Sequence, residues 1–552
     1  MKKIALFIVL TTTLLVSCTV KSTKEESQLT FLHVQGVDIV NDKGEKILLK
    51  GVGLGNWFLP EGYMWRFGQY GDRPRRIEKL VSDLIGSASA DSFWHTYRRD
   101  YVTERDIKRV AELGFNSVRP ALNSRLFITD GENPEFRQEG FDLLDSLISR
   151  CTRNNIYVIL DMHGAPGGQT GQNIDDSEND EPLLFMQPEK YEPILTKLWV
   201  KLAEKYKDNP TVMGYDLLNE PLPKMTGAAD KYKHLLEPMY KRLTKAIREV
   251  DKRHIIILEG VEWSNDWSAF TKPFDKNLVY QFHYYCWNPY ENVNSIQYYI
   301  DKRTEYQSPV WVGETGEKSA AIYWSTLQLL NENNMGWSFW PWKKLDTRKA
   351  GNNPLSIKKP EGWDSIVAYS ENGKAARKEW AKAIFDSYLQ NIKIENCTEN
   401  KEMINAMFQN APIKLEAENF GGKGLGISYF VKDTTKTTHY RTTESVKVTY
   451  FQSEDKKHSE GQYITLNSGE WTAYLFGTNG LPFCSPAIKI RSTVAHSTVS
   501  IWINDQLLQD VDCTSFDWQT ISLATCILKK ADNKLKIAVT NGKVDIDYID
   551  IR

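Results

Sequence analysis

Two short stretches carry the residue types that acid–base chemistry needs. Val212 to Pro221 reads VMGYDLLNEP, an apolar run that stops at an amide, a carboxylate and a proline. Pro309 to Gly316 reads PVWVGETG and stops in the same way at Glu314. Proline cannot donate to a β-ladder, so Pro221 ends the first run as a strand and leaves Asn219 and Glu220 at its C-terminal edge. Two carboxyls at two strand ends, one kept protonated and one ionised, suit the cleavage of a glycosidic bond.

Other apolar runs close on polar or aromatic groups too. They are Arg119 in NSVRP, His163 in IYVILDMH, His283 and Tyr285 in LVYQFHYY, and Trp340 in MGWSFWPW. If these runs are parallel strands of one closed barrel, their C-terminal ends meet at a single mouth. Arg119, His163, Asn219, Glu220, His283, Tyr285, Glu314 and Trp340 would then line one pocket. A close cation favours an ionised carboxyl, which gives Arg119 the task of holding Glu314 charged. Asp161, Glu259 and Glu262 are read as support around the site, and Asp216 as a structural partner. Trp57, Trp263, Trp267, Trp287 and Trp342 are read as outer platforms or as packing. The acidic stretch Asp175 to Glu181 (DDSENDE) is read as a solvated lip of the cleft.

Positioning such a set takes eight strands alternating with amphipathic helices. Ile47–Trp57, Asn116–Pro120, Ile156–His163, Val212–Glu220, His254–Gly260, Leu278–Tyr285, Pro309–Glu314 and Met335–Trp342 supply the strands. Phe141–Arg150, Glu189–Lys207, Leu235–Val250, Ile322–Asn333 and Gly373–Gln390 supply helices of period 3.6. From Pro412 onward the text turns to short strands of period two with no helices between them: IKLEAENF, GQYITL, EWTAYLF, AIKIRS, STVSIWIN, LKIAVT and DIDYIDI. The fold class expected is α/β, a (β/α)8 TIM barrel over residues 29–391, followed by an all-β antiparallel sandwich over 412–552. Residues 392–411 are expected to be a linker.

With these motifs in this order, the barrel region resembles glycoside hydrolase family 5. NEP at 219–221, the His283-x-Tyr285 pair, Arg119 in SVRP, GETG at 313–316 and the Trp340 strand carry the resemblance. DMHGAPGGQTG at 161–171 and GVGLGNW at 51–57 look most like its exo-β-1,3-glucanase branch. The resemblance implies a retaining mechanism with Glu220 as acid/base and Glu314 as nucleophile. It implies Asn219 on the sugar 2-OH and no cofactor for catalysis. A β-glucan is the substrate expected; a β-1,4-glucanase, a β-mannanase and a non-catalytic glycan-binding surface lipoprotein are the alternatives. The C-terminal segment resembles carbohydrate-binding modules of family 6 or 35. That implies Tyr440 and Trp518 as stacking aromatics and a structural calcium held by Glu416 or Glu418 with Asp547.

Met1-Lys2-Lys3, an apolar run to Val16 and Leu15-Val16-Ser17-Cys18 resemble a bacterial lipoprotein signal over 1–18. Cys18 is then the lipidated residue, residues 19–28 form a polar tether, and the chain is expected in the cell envelope, held to membrane by a lipid. The 552 residues carry 69 basic and 71 acidic groups, a net charge of −2, with no basic run to track a phosphate backbone, so nucleic acid is not an expected partner. Seventeen Trp and 26 Tyr fit large cores and sugar-stacking surfaces. The other six cysteines, at 151, 286, 397, 484, 513 and 526, lack metal-binding spacing. Cys513 with Cys526, or either with Cys484, could pair, a choice the sequence leaves open.

Overall fold

The computed structural model describes residues 29–552 apart from 132, 225–226, 287–292, 346–351, 452–460 and 531. Cys18, the signal, the whole of the tether over 19–28, and Trp287 lie outside the described residues. Eight parallel strands close into a barrel: β1 (Lys50–Leu54), β2 (Ser117–Asn123), β3 (Tyr157–Gly164), β4 (Val212–Asp216), β5 (Ile255–Glu259), β6 (Leu278–His283), β7 (Val310–Gly316) and β8 (Gly336–Trp340). β8 pairs with both β7 and β1, so the sheet has no edge. Each of the eight expected runs supplies one strand.

Period-two alternation in these strands explains why the barrel is apolar below and polar above. On β3, Tyr157 and Ile159 share a face with Asp161 and His163; on β5, Ile255 and Ile257 share one with Glu259. The lower residues pack with Met213, Val279 and Trp311 into a small core, which Leu32 and Ile39 of an N-terminal hairpin (His33–Gln35 and Asp38–Val40) plug from beneath. The upper residues stay polar and face the mouth. Glycines on and just after β1 have a packing reason: a Cβ on Gly53 would lie 2.3 Å from the Trp340 ring, and one on Gly55, the residue after the strand, would lie 2.6 Å from it.

Three departures from the sequence reading concern the helices and the junction. Residues 58–115 hold a short helix, Gly62–Trp65, and three longer ones, Pro74–Ile85, Ser87–Asp100 and Glu104–Glu112, that the strand count passed over. The helix expected over Gly373–Gln390 begins only at Ala381 and runs to Asn391, and an unexpected helix, Trp363–Asn372, precedes it and is ended by Gly373 at φ +68. The stretch 392–411, expected as a linker, is structured. Thr398–Glu399 pairs with a strand Leu355–Ile357, and Lys401–Met407 is a helix with Asn400 as its N-cap.

The C-terminal part is two packed antiparallel sheets. In one, Lys543–Ile551 lies between Gln462–Asn467 and Ala487–Ser492, and also pairs with Ile413–Glu416, joining the first and last strands of the sandwich. In the other, Asn533–Asn541 lies between Trp471–Phe476 and Ser497–Ile503. The sandwich does not hang from a tether. Trp324, on the helix Ala320–Glu332 that follows β7, is 2% exposed and belongs to the apolar core of the sandwich, with Phe420, Tyr429 and Tyr440. Gln328 of the same helix donates to the Phe420 carbonyl at 3.2 Å. Trp324→Ala should therefore cost the full chain about 3–5 kcal/mol, the usual range for emptying a buried Trp site. Chemical denaturation followed by tryptophan-independent circular dichroism would measure it, and a loss below about 1 kcal/mol would show that the contact is superficial.

Candidate active site

At the mouth, Arg119 from β2 is fully buried and reaches four carboxylates on four other strands. It stands 3.2 Å from Asp161 on β3, 2.8 Å from Asp216 on β4, 2.9 Å from Glu259 on β5 and 2.6 Å from Glu314 on β7. It also donates to Asn219 Oδ1 at 2.9 Å. Tyr285 donates to the other oxygen of Glu314 at 2.7 Å. Burial alone would raise the Glu314 carboxyl; the charges of His283, Arg119 and His163, with the Tyr285 hydroxyl, outweigh it and hold the group at about 2.

Glu220 sits opposite in a different field. Its backbone takes φ +43, a conformation that non-glycine residues rarely adopt, and its N–H donates to Glu259 Oε2 at 2.8 Å. That bond turns the side chain off the end of β4 and into the pocket. His283 Nδ1 bonds Glu220 Oε1 at 2.6 Å and stands 3.5 Å from Glu314 Oε2. Burial, the largest influence, lifts the Glu220 carboxyl above its ordinary value; His283 pulls it back, while Glu314 and Glu259 push it further up. His283 itself is raised well above the ordinary imidazole value, because Glu314, Glu259 and Glu220 overcome the cost of burial. One carboxyl thus favours its proton and the other its charge.

The remaining expected residues join them. His163 bonds Asp161 Oδ2 through Nδ1 at 2.8 Å, faces Asn219 across 3.3 Å, and lies flat on Trp340 with ring centroids 5.1 Å apart. A cavity of about 640 Å³ is lined by His163, Glu220, His283, Tyr285, Glu314 and Trp340 together. The sequence reading missed Glu61 and Tyr63, which line the same cavity from the segment after β1. Glu61 is 2% exposed, its Oε1 has no hydrogen-bond partner, and burial beside Glu314 and Glu220 raises its carboxyl well above the ordinary range. Tyr63 accepts from Trp340 Nε1 at 3.1 Å. In sequence this segment reads LPEGYMW, where Glu61 between Pro60 and Gly62 signals only a turn.

Several expectations need correction. Trp263 lines the cavity, but Trp57, Trp267 and Trp342 are each 1% exposed and pack in the interior. DDSENDE is a solvated lip only from Glu178 to Glu181, which are exposed; its first three residues are buried. Asp175 is buried and accepts from the N–H groups of Gln169, Thr170 and Ser177, and Asp176 pairs with Arg75 and Arg125. In the sandwich Tyr440 is no open platform: it is 4% exposed and its hydroxyl meets Ser325 Oγ of the barrel at 2.8 Å and Asn419 Oδ1 at 2.5 Å. Trp518 does stay half-buried at the surface, against Phe451 and Tyr463, with the Arg491 guanidinium 4.8 Å from its ring. Glu416, Glu418 and Asp547 do not fit a calcium ion. Lys414 holds Glu416 at 2.9 Å and Lys489 holds Asp547 at 2.8 Å, and burial lifts the Glu418 carboxyl to about 8, with Glu416 and Asp547 adding to it. Among the described residues, the clusters whose ligand atoms converge are Glu220 with His283 and Glu314, and Asp161 with Asp216 and Glu259, both at the barrel mouth.

Replacing Arg119 by Met leaves buried carboxylates without their cation, at about 3–5 kcal/mol. The sign follows from Glu314. Its folded value of about 2 lies below its ordinary 4.5, so its contribution is present above pH 4.5 and lost only as pH falls through 2. Without Arg119 that contribution shrinks at neutral pH, with His283 and His163 left to hold the charge, while protonation relieves the variant as the solution is acidified. The gap in Tm between wild type and Arg119→Met should narrow from pH 7 to pH 4; a constant gap would mean that the guanidinium acts by packing alone.

With this geometry in hand, comparison with known proteins is informative. Residues 83–346 match the sequence model of cellulase, glycosyl hydrolase family 5. The chain is 27% identical over 351 residues to a beta-xylosidase of Phanerodontia chrysosporium, covering 57% of this chain and 71% of that protein. It is 27% identical over 384 residues to a glucan 1,3-beta-glucosidase of Lachancea kluyveri, covering 66% and 84%. A solved endogalactoceramidase superposes over 94% of this chain and 100% of its own, with 15% identity and a TM-score of 0.47. Over residues 83–346 the barrel of this chain is similar to glycoside hydrolase family 5, and the protein is a glycoside hydrolase.

Proposed function

We propose that the protein is a retaining β-glycosidase acting on a β-glucan, with Glu314 as nucleophile and Glu220 as acid/base. The observation that carries this is the pairing of the two carboxyls. An oxygen of Glu220, one of Glu314 and a nitrogen of His283 all lie within 4.8 Å of one another. Inverting enzymes hold their carboxyls about 6.5–9.5 Å apart to admit a water, and retaining ones about 5–5.5 Å apart for direct attack. The proton affinities are divided to match: Glu314 is held at about 2 and can attack the anomeric carbon, while Glu220 is raised above its ordinary value and is the better proton donor of the two for the leaving oxygen. Once the glycosyl–Glu314 ester has formed, Glu220 is ionised and takes a proton from the incoming water. His283, bonded to Glu220, follows that change of charge at 2.6 Å.

Sugar contacts follow from the lining. Trp340 offers a ring held flat by His163, Asn219 stands beside Glu220 for the 2-OH, and Glu61 presents an unpartnered buried carboxyl to a hydroxyl. A β-1,3-linked glucan is supported by the resemblance of GVGLGNW and DMHGAPGGQTG and by the glucosidase relative. On the sandwich, Trp518 with Phe451 and Tyr463 forms an aromatic group suited to gripping polysaccharide.

Glu314→Gln should abolish turnover with substrate binding kept. Glu220→Ala should lower kcat/KM about 10²–10⁴-fold, most on substrates with poor leaving groups. Azide should rescue Glu220→Ala by forming a β-glycosyl azide of retained configuration. A panel of β-1,3-glucan, β-1,4-glucan and β-mannan reads the substrate in the same assay; an α-glycosyl azide, or full activity in either variant, would end this reading. Separately, Trp518→Ala should weaken retention on insoluble β-glucan while leaving kcat on a small aryl glycoside unchanged. Undiminished retention would assign Trp518 to packing.

A further inference from the structure

We infer that Cys484 and Cys526 are a dithiol–disulfide pair, a modification site on the rim of the sandwich that takes a disulfide oxidant as its reactant. The strands Phe483–Cys484 and Cys526–Ile527 pair antiparallel and place the two cysteines directly opposite one another. Their sulfurs are 3.2 Å apart, and the residues are 2% and 8% exposed. Cys513, the other partner that the sequence allowed, is engaged elsewhere: its sulfur accepts from Gln519 Nε2 at 3.3 Å, inside the strand Gln506–Cys513. Of the choices left open by spacing, the geometry favours one.

Location makes the pair reactive as well as close. The ribbon is only two residues long on each side, and its neighbours Phe483 and Ile527 are 60% and 85% exposed. Ladders that short are marginal, so brief opening admits an oxidant to sulfurs that are otherwise covered. The two sulfurs share one S–H···S bond in which either can donate. With Cys484 donating, that bond is the largest influence on Cys526 and lowers its thiol to about 7, while the same bond raises Cys484. Either sulfur, once ionised, can attack first, and the exchange is written for Cys526.

The step balances as thiol–disulfide exchange. Cys526 thiolate attacks one sulfur of the oxidant RSSR, forming a mixed disulfide and releasing RS⁻. Cys484, deprotonated by that thiolate, then attacks the Cys526 sulfur, forming the Cys484–Cys526 bond and releasing the second RS⁻. The two protein thiols lose two electrons and two protons; the oxidant gains both as two RSH. The bond closes a loop between positions 42 apart and ties down the ribbon against the C-terminus, where Ser485 N–H donates to the Arg552 carbonyl at 2.8 Å. By restricting the unfolded chain it raises stability. None of this depends on how the barrel mouth is read.

The full chain is incubated with oxidised glutathione, unfolded, treated with iodoacetamide and digested. The peptides holding Cys484 and Cys526 should appear joined and lighter by two hydrogens than their sum, while Cys151, Cys397 and Cys513 carry alkyl groups. The Tm should be several degrees higher than after reduction with dithiothreitol, with no such difference in Cys484→Ser. Cys484→Ser should also accumulate a glutathione adduct on Cys526. If Cys484→Ser fails to fold, the wild-type comparison of oxidised and reduced samples still decides. Alkyl groups or glutathione on both cysteines of the wild type, a link through Cys513, or equal Tm values before and after reduction would each overturn the proposal.

Discussion

The architecture of the mouth depends on one buried guanidinium. Arg119 is the guanidinium shared by four carboxylates drawn from β3, β4, β5 and β7, and its five donors reach partners that no shorter or more flexible side chain could hold at once. The imidazoles of His283 and His163 stand beside it with raised proton affinity, and the carboxyls divide into those that hold charge and those that hold protons. Asp216 is raised well above its ordinary value by burial and by its neighbours, whereas Glu259 and Glu314 are lowered. The charge is thereby concentrated where it can act on substrate. Glu259 links the two halves: it meets Arg119, accepts the N–H of Glu220 and stands 3.4 Å from His283, so the groups that position the two active carboxyls share a single partner.

This arrangement explains how much of the site was legible in sequence. An inward-facing strand residue announces itself, because a carboxylate, imidazole or guanidinium in register with Ile and Val has no reason to be there except the mouth. That is why Arg119, His163, His283 and Glu314 stood out. Asn219 and Glu220 lie just past the end of β4 and were still visible through Pro221. Glu61 and Tyr63 were not, since they come from a turn whose place over the barrel is fixed by tertiary packing on helices that follow it. The same limit accounts for Tyr440 and the first residues of DDSENDE. Composition marks an aromatic or an acidic stretch as exposed, and only the partners, Ser325 and Asn419 in one case and Arg75 and Arg125 in the other, reverse that.

The calcium reading failed for a related reason. Three carboxyls from the two ends of the sandwich do approach one another, as the first and last strands pair from Ile413 with Ile551 to Glu416 with Tyr548. What the pattern could not show is that Lys414, two residues from Glu416 on the same face, and Lys489 on the adjacent strand deliver cations of their own. Charge balance is met by side chains, and Glu418 is left to be buried as an acid with a proton.

Finally, the way the sandwich is attached bears on what a glycan grip could accomplish. A module on a flexible tether raises local concentration of polymer but leaves its direction free. Here the helix Ala320–Glu332 starts four residues beyond the end of β7, the strand that carries Glu314, and buries Trp324 in the core of the sandwich. Asn331 and Glu332, at the far end of that helix, hold Gln409 and Gly422 as well. The two parts therefore turn together. On the proposed reading, a glycan held against Trp518 would meet the mouth at a fixed angle, so the attachment trades reach for orientation.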